Sequence, residues 1–280
     1  MSRSIGFLND QRLFRVGDEI LAETPFVHFL MGFRAHFDEV VLISRVFEGL
    51  PEDVHGYPLP KDGVRVVELP PYPRIVDLYK PPFKYRAKIE EALRVTLPTL
   101  DALWLNFGHP ISLQALGMAK TQPELRFFAV QRGAYERDAK LRIGGPPGLG
   151  FIAGKVMQRN MKKFAKMARK AGVPCFAYGA ELVHRLEHWS LNVHSFIDSL
   201  LTKEDLGSVQ SVDKGLETDL IFVGRLTPEK GLDILLESLS EARMPDGRTP
   251  LLRVVGSGPE EQKLKALTSE LNLEESVIFD

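Results

Sequence analysis

Twice near its end, this chain of 280 residues runs through an apolar strand, a glycine-bearing loop and an amphipathic helix. That repetition narrows the folds available to it. In the first copy, Leu220–Val223 is a short apolar run of strand character that Gly224 ends with a backbone-permissive residue. Thr227-Pro228-Glu229 then reads as a helix start: threonine suits the N-cap, proline the first helical position and glutamate the first turn. Leu232, Leu235, Leu236 and Leu239 follow at the spacing of one buried helix face. In the second copy, Leu251–Val255 leads into Gly256-Ser257-Gly258-Pro259 and a helix with Glu260 and Glu261 in its first turn. Leu264, Leu267 and Leu271 give that helix its apolar stripe.

Two such units side by side make a parallel sheet, and ligands of such sheets bind outside the carboxyl ends of the strands. Arg225 and Lys230 bracket the expected helix start, where free N–H groups and the helix dipole favour an anion. Arginine grips two oxygens in a planar fork and lysine adds a movable point charge, a pairing suited to a diphosphate. Plain solvated side chains are the alternative, and the spacing alone leaves it open.

Val223–Asp233 together with Val254–Glu260, in this order and at this separation, resemble the donor-binding half of the family 4 glycosyltransferases. The likeness is dense from about Asp219 onward and thin before it. It implies that Arg225 and Lys230 hold the diphosphate of a nucleotide-sugar, with Gly224, Gly256, Ser257 and Gly258 in the surrounding loops. It implies the GT-B fold, two Rossmann-like doubly wound α/β domains facing a cleft, and transfer with retention of configuration, the diphosphate itself taking the acceptor's proton. The family's pair of glutamates, eight positions apart, has no counterpart here. The second domain is therefore expected to be incomplete, truncated after Val277–Asp280, and residues 1–280 alone to be inactive.

The hydrophobic content of 44% with 26% charged residues is that of a globular chain. The length suggests two domains, expected at 1–206 and 218–280 with a polar linker at 207–217. Cys175, the single cysteine, excludes an internal disulfide and reads as a buried structural thiol. No apolar run approaches the roughly 18 residues of a membrane span, and Met1–Leu8 lacks a signal-peptide shape, so a cytoplasmic protein is expected. Residues 216–280 carry 13 acidic against 7 basic side chains, a balance of −6, which against the chain total of −1 leaves +5 on residues 1–215. That half lacks the arginine density and aromatic interleaving of a nucleic-acid surface.

Strands are expected at Ser4–Leu8, Glu39–Val46, Val64–Leu69, Ala102–Leu105, Arg126–Gln131 and Pro174–Tyr178, alternating with helical stretches as in a doubly wound domain. Asn9–Glu19 reads as a loop and Ile20–Phe37 as a helix. The resemblance puts a donor-contacting glycine in that loop, and Gly17 is the nearest match; a surface turn is the other reading. His109 follows the fourth strand, where the resemblance implies a histidine that reaches the donor sugar; Asn106 could fill the same place, and a capping role is the plain alternative. Arg132 ends the fifth strand and is a second candidate for substrate contact, or else a partner of Glu136 or Asp138. Gly144–Gly148 is a turn cluster suited to an acceptor-side loop. Phe196–Leu201, followed by Thr202–Asp205, resembles the family's entry into its second domain.

From Lys155 to Lys170 run seven cations and no acid. Such a run is by default a solvated helix face; attraction to an anionic membrane on the inner face is the alternative. No clustered His, Cys and Asp suggests a metal, and no cofactor is expected beyond the nucleotide-sugar co-substrate. The expected acceptor is a cell-envelope or lipid-linked glycan. A non-catalytic GT-B binding protein and a GT-B sugar-nucleotide epimerase are the nearest rivals. A nicotinamide oxidoreductase would want Gly-x-Gly-x-x-Gly after the first strand, which Ser4–Gly17 lacks.

Overall fold

The computed structural model describes residues 3–52, 54–79, 84–118, 121–133, 149–197 and 219–280. The chain divides into two compact units, Met1–Thr202 and Lys203–Asp280. The expected linker and the Gly144–Gly148 turn cluster lie outside the described residues, as do Glu136 and Asp138.

Unit 1 is built on strands β1 (Ser4–Val16), β2 (Glu19–Ala22), β3 (Glu39–Glu48), β4 (Tyr57–Pro58), β5 (Val64–Leu69), β6 (Ala102–Asn106), β7 (Arg126–Gln131), β8 (Cys175–Tyr178) and β9 (Val193–Phe196). Its helices are α1 (Phe26–Met31), α2 (Arg86–Thr96), α3 (Pro110–Gly117), α4 (Leu149–Ala171) and α5 (Ala180–Glu187). The parallel core runs β5-β3-β1-β6-β7-β8-β9. The chain leaves β1 toward β3 and β5 on one side and returns to β6 on the other, so the direction of winding reverses between β1 and β6. Both faces of this sheet are covered. Val41 and Ile43 of β3 join the core under α2 to α5, while Val40, Leu42 and Val46 join the one beneath α1. A strand buried on both sides needs an unbroken apolar run, which is why Val40–Ile43 shows no alternation.

The N-terminal expectation needs correcting. Residues 9–16 are not a loop but the second half of β1, and Leu13 and Phe14 are buried. The segment expected to be helical from Ile20 to Phe37 is β2, then the short helix α1 and a 3-10 turn at Gly32–Ala35. Gly17 lies in the two-residue connection of the β1–β2 hairpin, at φ +58, between the paired Val16 and Glu19. Positive φ is what a tight hairpin needs, and glycine supplies it without steric cost. The surface-turn reading of Gly17 thus describes its local geometry, and no space-limited contact surrounds it. Phe196 ends β9, the last strand of the unit 1 sheet, so the chain has not yet left unit 1 there.

Unit 2 holds β10 (Leu220–Val223), β11 (Leu252–Val255) and β12 (Val277–Phe279), all parallel, with α6 (Leu232–Glu241) and α7 (Glu261–Glu270). Leu232, Leu236 and Leu239 of α6 and Leu264 of α7 pack with Leu252, Val254 and Val277 against one face of the sheet. Ile221, Val223 and Ile278 are exposed. The helix start differs from expectation. Pro228–Lys230 is a single 3-10 turn, Gly231 follows at φ +66, and α6 begins only at Leu232. This extra turn lets both Leu226 and Leu232 reach the core, each almost wholly buried.

Candidate functional site

In unit 2 the loops after β10 and β11 are joined backbone to backbone. Leu226 N–H donates to the Ser257 carbonyl at 2.9 Å, Glu260 N–H to the Leu226 carbonyl at 3.1 Å, and Gly224 N–H to the Val255 carbonyl at 3.1 Å. A Cβ on Gly256 would lie 2.1 Å from the Gly224 carbonyl oxygen, and one on Gly258 would lie 2.3 Å from that of Leu226. The two glycines therefore let one loop close onto the other, a reason not visible in their spacing. Leu226 anchors the first loop in the core while its neighbour Arg225 is about two-thirds exposed. Arg225 has a loose contact of 3.8 Å with Glu229, and Lys230 is exposed. Both cations thus stand in solvent beside the carboxyl ends of two parallel strands. The Thr227 hydroxyl does not cap the turn; its oxygen is buried without a hydrogen-bond partner.

Unit 1 holds a concave site at the carboxyl ends of its own strands. A cavity of about 420 Å³ is lined by Asp10, Glu23, Phe26, Asn106, His109 and Arg132 among others. It opens where the winding reverses between β1 and β6, the place where open α/β sheets bind ligands. The local cause is an irregularity in β1. Leu8 pairs with Ile43 and Arg12 with Arg45, so Asn9, Asp10 and Gln11 together face Ser44 alone. Extra residues in one strand re-aim side chains, and here they bring Asp10 to the cavity.

Three groups converge on Asp10. The Tyr72 hydroxyl donates to Oδ1 at 2.5 Å, Arg45 Nε is 3.4 Å from the same oxygen, and His109 Nε2 is 3.7 Å from Oδ2. Arg45 also donates to the carbonyls of Tyr72 (2.8 Å), Pro73 (3.1 Å) and Asp10 (3.2 Å), and its guanidinium lies over the Tyr72 ring. Burial by itself would raise the Asp10 carboxyl. His109, Arg45 and the Tyr72 hydroxyl outweigh it and hold Asp10 below the usual carboxylate range, while burial and Asp10 together push the Tyr72 phenol well up.

His109 takes the capping role that is the plain alternative reading of it. It N-caps α3, accepting from Ile111 N–H at Nδ1 (3.3 Å), and it lines the cavity. With Nδ1 accepting, the neutral ring carries its proton on Nε2, the buried atom without a hydrogen-bond partner. Asn106 lines the same cavity and accepts from Trp104 Nε1 at 3.2 Å. Arg132 lines it too, its guanidinium 3.6 Å from the Phe26 ring centre. The structure thus brings His109, Asn106 and Arg132 together in unit 1, and Arg225, Lys230, Gly224, Gly256, Ser257 and Gly258 together in unit 2.

Asp10, Arg45, Tyr72 and Glu23 were missed. One of them left a trace: Arg45 is the one charge in the apolar run Val40–Val46, and a buried charge must be paired. Asp10 lies in the polar run Asn9–Arg12 and does not stand out there. Cys175 is fully buried, and burial pushes its thiol up to about 12, so it is a packing residue. Among the described residues there is no group of three or more His, Cys, Asp or Glu able to hold a metal ion, and no helix is long and apolar enough to cross a membrane.

Residues 209–279 match the family model of the glycosyl transferases group 1. Sucrose-phosphate synthase from Thermosynechococcus elongatus superposes on the chain with a TM-score of 0.58 at 13% identity, covering 99% of this chain and 70% of that one. The apo lipopolysaccharide outer core galactosyltransferase WaaB gives 0.56 at 14% identity, with 99% and 67% covered. The fold is GT-B. A glycosyltransferase from Rickettsia africae gives 0.52 at 12% identity, with 100% and 68% covered. At these identities the likeness is one of GT-B architecture. No curated protein sequence matches the chain. The group 1 match takes in both joined loops of unit 2, with Arg225 and Lys230.

Proposed function

We propose that the chain is a glycosyltransferase that moves a sugar from a nucleoside-diphosphate sugar to a hydroxyl-bearing acceptor. The observation that carries this reading is the pair of joined loops after β10 and β11, with two exposed cations beside them, inside the stretch that matches the group 1 transferases. In this reading Arg225 and Lys230 hold the diphosphate and offset the charge that builds on it as it departs, the electrostatic contribution that dominates transfer reactions. The diphosphate would displace the loose Glu229 contact from Arg225. His109 and Arg132, in the cavity of unit 1, would be that unit's contacts to the donor sugar, and retention of configuration follows from the family likeness.

The test is calorimetry with nucleoside diphosphates. Each charge-assisted hydrogen bond contributes about 1.5–3 kcal/mol, so Arg225→Ala is expected to weaken binding at least about tenfold. Unchanged affinity would remove the loop from the donor site. Radiolabelled donor then separates transfer to an acceptor from epimerisation or simple binding.

The acceptor side includes α4. Met161, Phe164, Ala165 and Ala168 of this helix are buried in unit 1, whereas Arg159, Lys162, Lys163, Lys166, Arg169 and Lys170 are exposed. We infer that this cationic face docks on an anionic membrane carrying a lipid-linked acceptor. Because the apolar side is already used in the core, the attraction is purely electrostatic. Each cation near such a surface contributes about 1 kcal/mol. Changing Lys162, Lys163 and Lys166 to glutamine is therefore expected to lower binding to phosphatidylserine vesicles about 100-fold, and added salt should do the same to the unaltered protein. Equal sedimentation of both proteins with vesicles would leave α4 a solvated face.

A further inference from the structure

The end of α5 carries two histidines one turn apart, His184 and His188, which the transferase reading does not use. Both are exposed, and their ring centres lie 4.6 Å apart with the planes at 77°. Leu182 and Leu186 form the buried face of α5, so the pair stands on its solvent side. His188 is the C-cap, and its ring is held in place. Its Nδ1 lies 3.1 Å from the His184 carbonyl oxygen, which also accepts the His188 backbone N–H. A carbonyl can only accept, so Nδ1 carries the proton and the neutral ring keeps its lone pair on Nε2. Metal-ligating histidines have this arrangement: the far N–H is bound to an oxygen that fixes the ring and raises its basicity. Among the described residues the His184 ring makes no hydrogen bond that a metal would have to break.

We propose that His184 and His188 chelate a divalent transition-metal ion of the copper, nickel and zinc class, with water in its remaining positions. Residues four apart on a helix are neighbours on its surface, and paired imidazoles at this spacing grip a metal from one face. Metal–nitrogen bonds of about 2.0–2.1 Å need the two nitrogens about 3 Å apart, which a turn of the exposed His184 ring supplies. The local field favours a cation. The pair occupies the last turn and the C-cap of α5, the negative end of the helix dipole. Glu181 and Glu187 are exposed within a turn of His184, while Arg185 keeps two guanidinium nitrogens buried, away from the pair. Imidazole ligands select this class of metal over magnesium and calcium, which prefer oxygen. The bound ion joins the last turn of α5 to its cap and so tightens the helix that leads into β9.

Trp189 follows His188 directly, so nickel(II) bound at the pair quenches its emission. The experiment titrates the full chain with nickel(II) and reads tryptophan fluorescence. A saturable quench is expected, reversed by excess zinc(II), which does not quench, and absent with magnesium. His184→Ala and His188→Ala are each expected to raise the midpoint about 100-fold, because the helix presents the second ligand at high effective concentration. His55→Ala, at an exposed histidine elsewhere, should leave the midpoint in place. Trp189→Phe should remove most of the quench, since Trp104 is buried in the core beneath α1; this variant keeps both ligands and decides the matter should a histidine variant fail to fold. Zinc(II) should also raise the thermal midpoint of the unaltered chain, as any ligand of the folded state does, and not that of the histidine variants. A midpoint unmoved by either histidine substitution, a quench that survives Trp189→Phe, or no saturable quench at millimolar nickel(II) overturns the site. The site is independent of the transferase reading, and nucleoside-diphosphate binding is expected to be the same in all these variants.

Discussion

Replacing Gly256 by alanine is expected to unfold unit 2 while unit 1 stays intact. The added Cβ would be 2.1 Å from the Gly224 carbonyl oxygen, and that neighbour is main chain, which cannot rotate away as a side chain can. Gly256 is also at φ +141, a conformation that strains any residue with a Cβ by about 1–3 kcal/mol. Separating the loops to relieve the clash breaks the bonds from Leu226 N–H to Ser257 and from Gly224 N–H to Val255, each a net contribution of about 0.5–1.5 kcal/mol. The sum, about 2–6 kcal/mol, rivals the stability of a unit this small, for which about 0.05–0.15 kcal/mol per residue is ordinary. Hydrogen exchange on peptides from 219–280 should lose its protection. Gly258→Ala is expected to act alike through the Leu226 carbonyl, and Ser257→Ala, exposed between them, to be close to neutral. Both tryptophans, Trp104 and Trp189, belong to unit 1, so their fluorescence should still report a cooperative transition. Full protection in Gly256→Ala would show that the loops are not joined as described.

Arg45→Met is expected to do the converse, destabilising unit 1 by about 3–5 kcal/mol, the usual result of removing one partner from a buried charge network. The guanidinium is nearly buried and serves three carbonyls and the Asp10 carboxylate. Methionine fills much the same volume but donates nothing, so the buried Tyr72 carbonyl loses its partner and the Asp10 carboxylate loses its counter-charge. The segment Tyr72–Pro73 loses its tie to β1, and with it Asp10 loses the orientation that faces it toward His109. The measurement is the urea midpoint of tryptophan fluorescence, which reads unit 1. A shift equivalent to less than about 1 kcal/mol would mean that water replaces the guanidinium and that the network is not structural. Nucleoside-diphosphate binding by the loops of unit 2 should not fall with it.

Much of this molecule can be read from short windows of its sequence. Val40–Ile43 is a strand because four consecutive apolar residues suit a position between two helical layers. Leu232, Leu236 and Leu239 form one helix face because their spacing matches the helical period, and all three are buried in the structure. The order strand, glycine loop, helix, repeated after Leu220 and after Leu251, determined a parallel sheet and pointed to the carboxyl ends of its strands. Arg225 and Lys230 were visible as candidates because a charge beside a helix start stands out locally.

What only the tertiary structure decided is what depends on residues far apart in the chain. Asn9–Val16 looks like a loop in a polar window, yet Leu13 and Phe14 are held as strand because β3 lies alongside and buries them. Gly17 closes a hairpin for the same reason. Gly256 and Gly258 carry no mark in the sequence to say which surface they approach; the Gly224 and Leu226 carbonyls, some thirty residues earlier, give the cause. The Asp10 cluster is the clearest case. Tyr72 is 62 positions from Asp10, and His109 comes from a different strand end altogether. Local periodicity reports which side of an element is buried, because that depends on the element's own geometry. Which polar groups then meet is set by strand order, register and one irregularity in β1, and those are properties of the whole sheet.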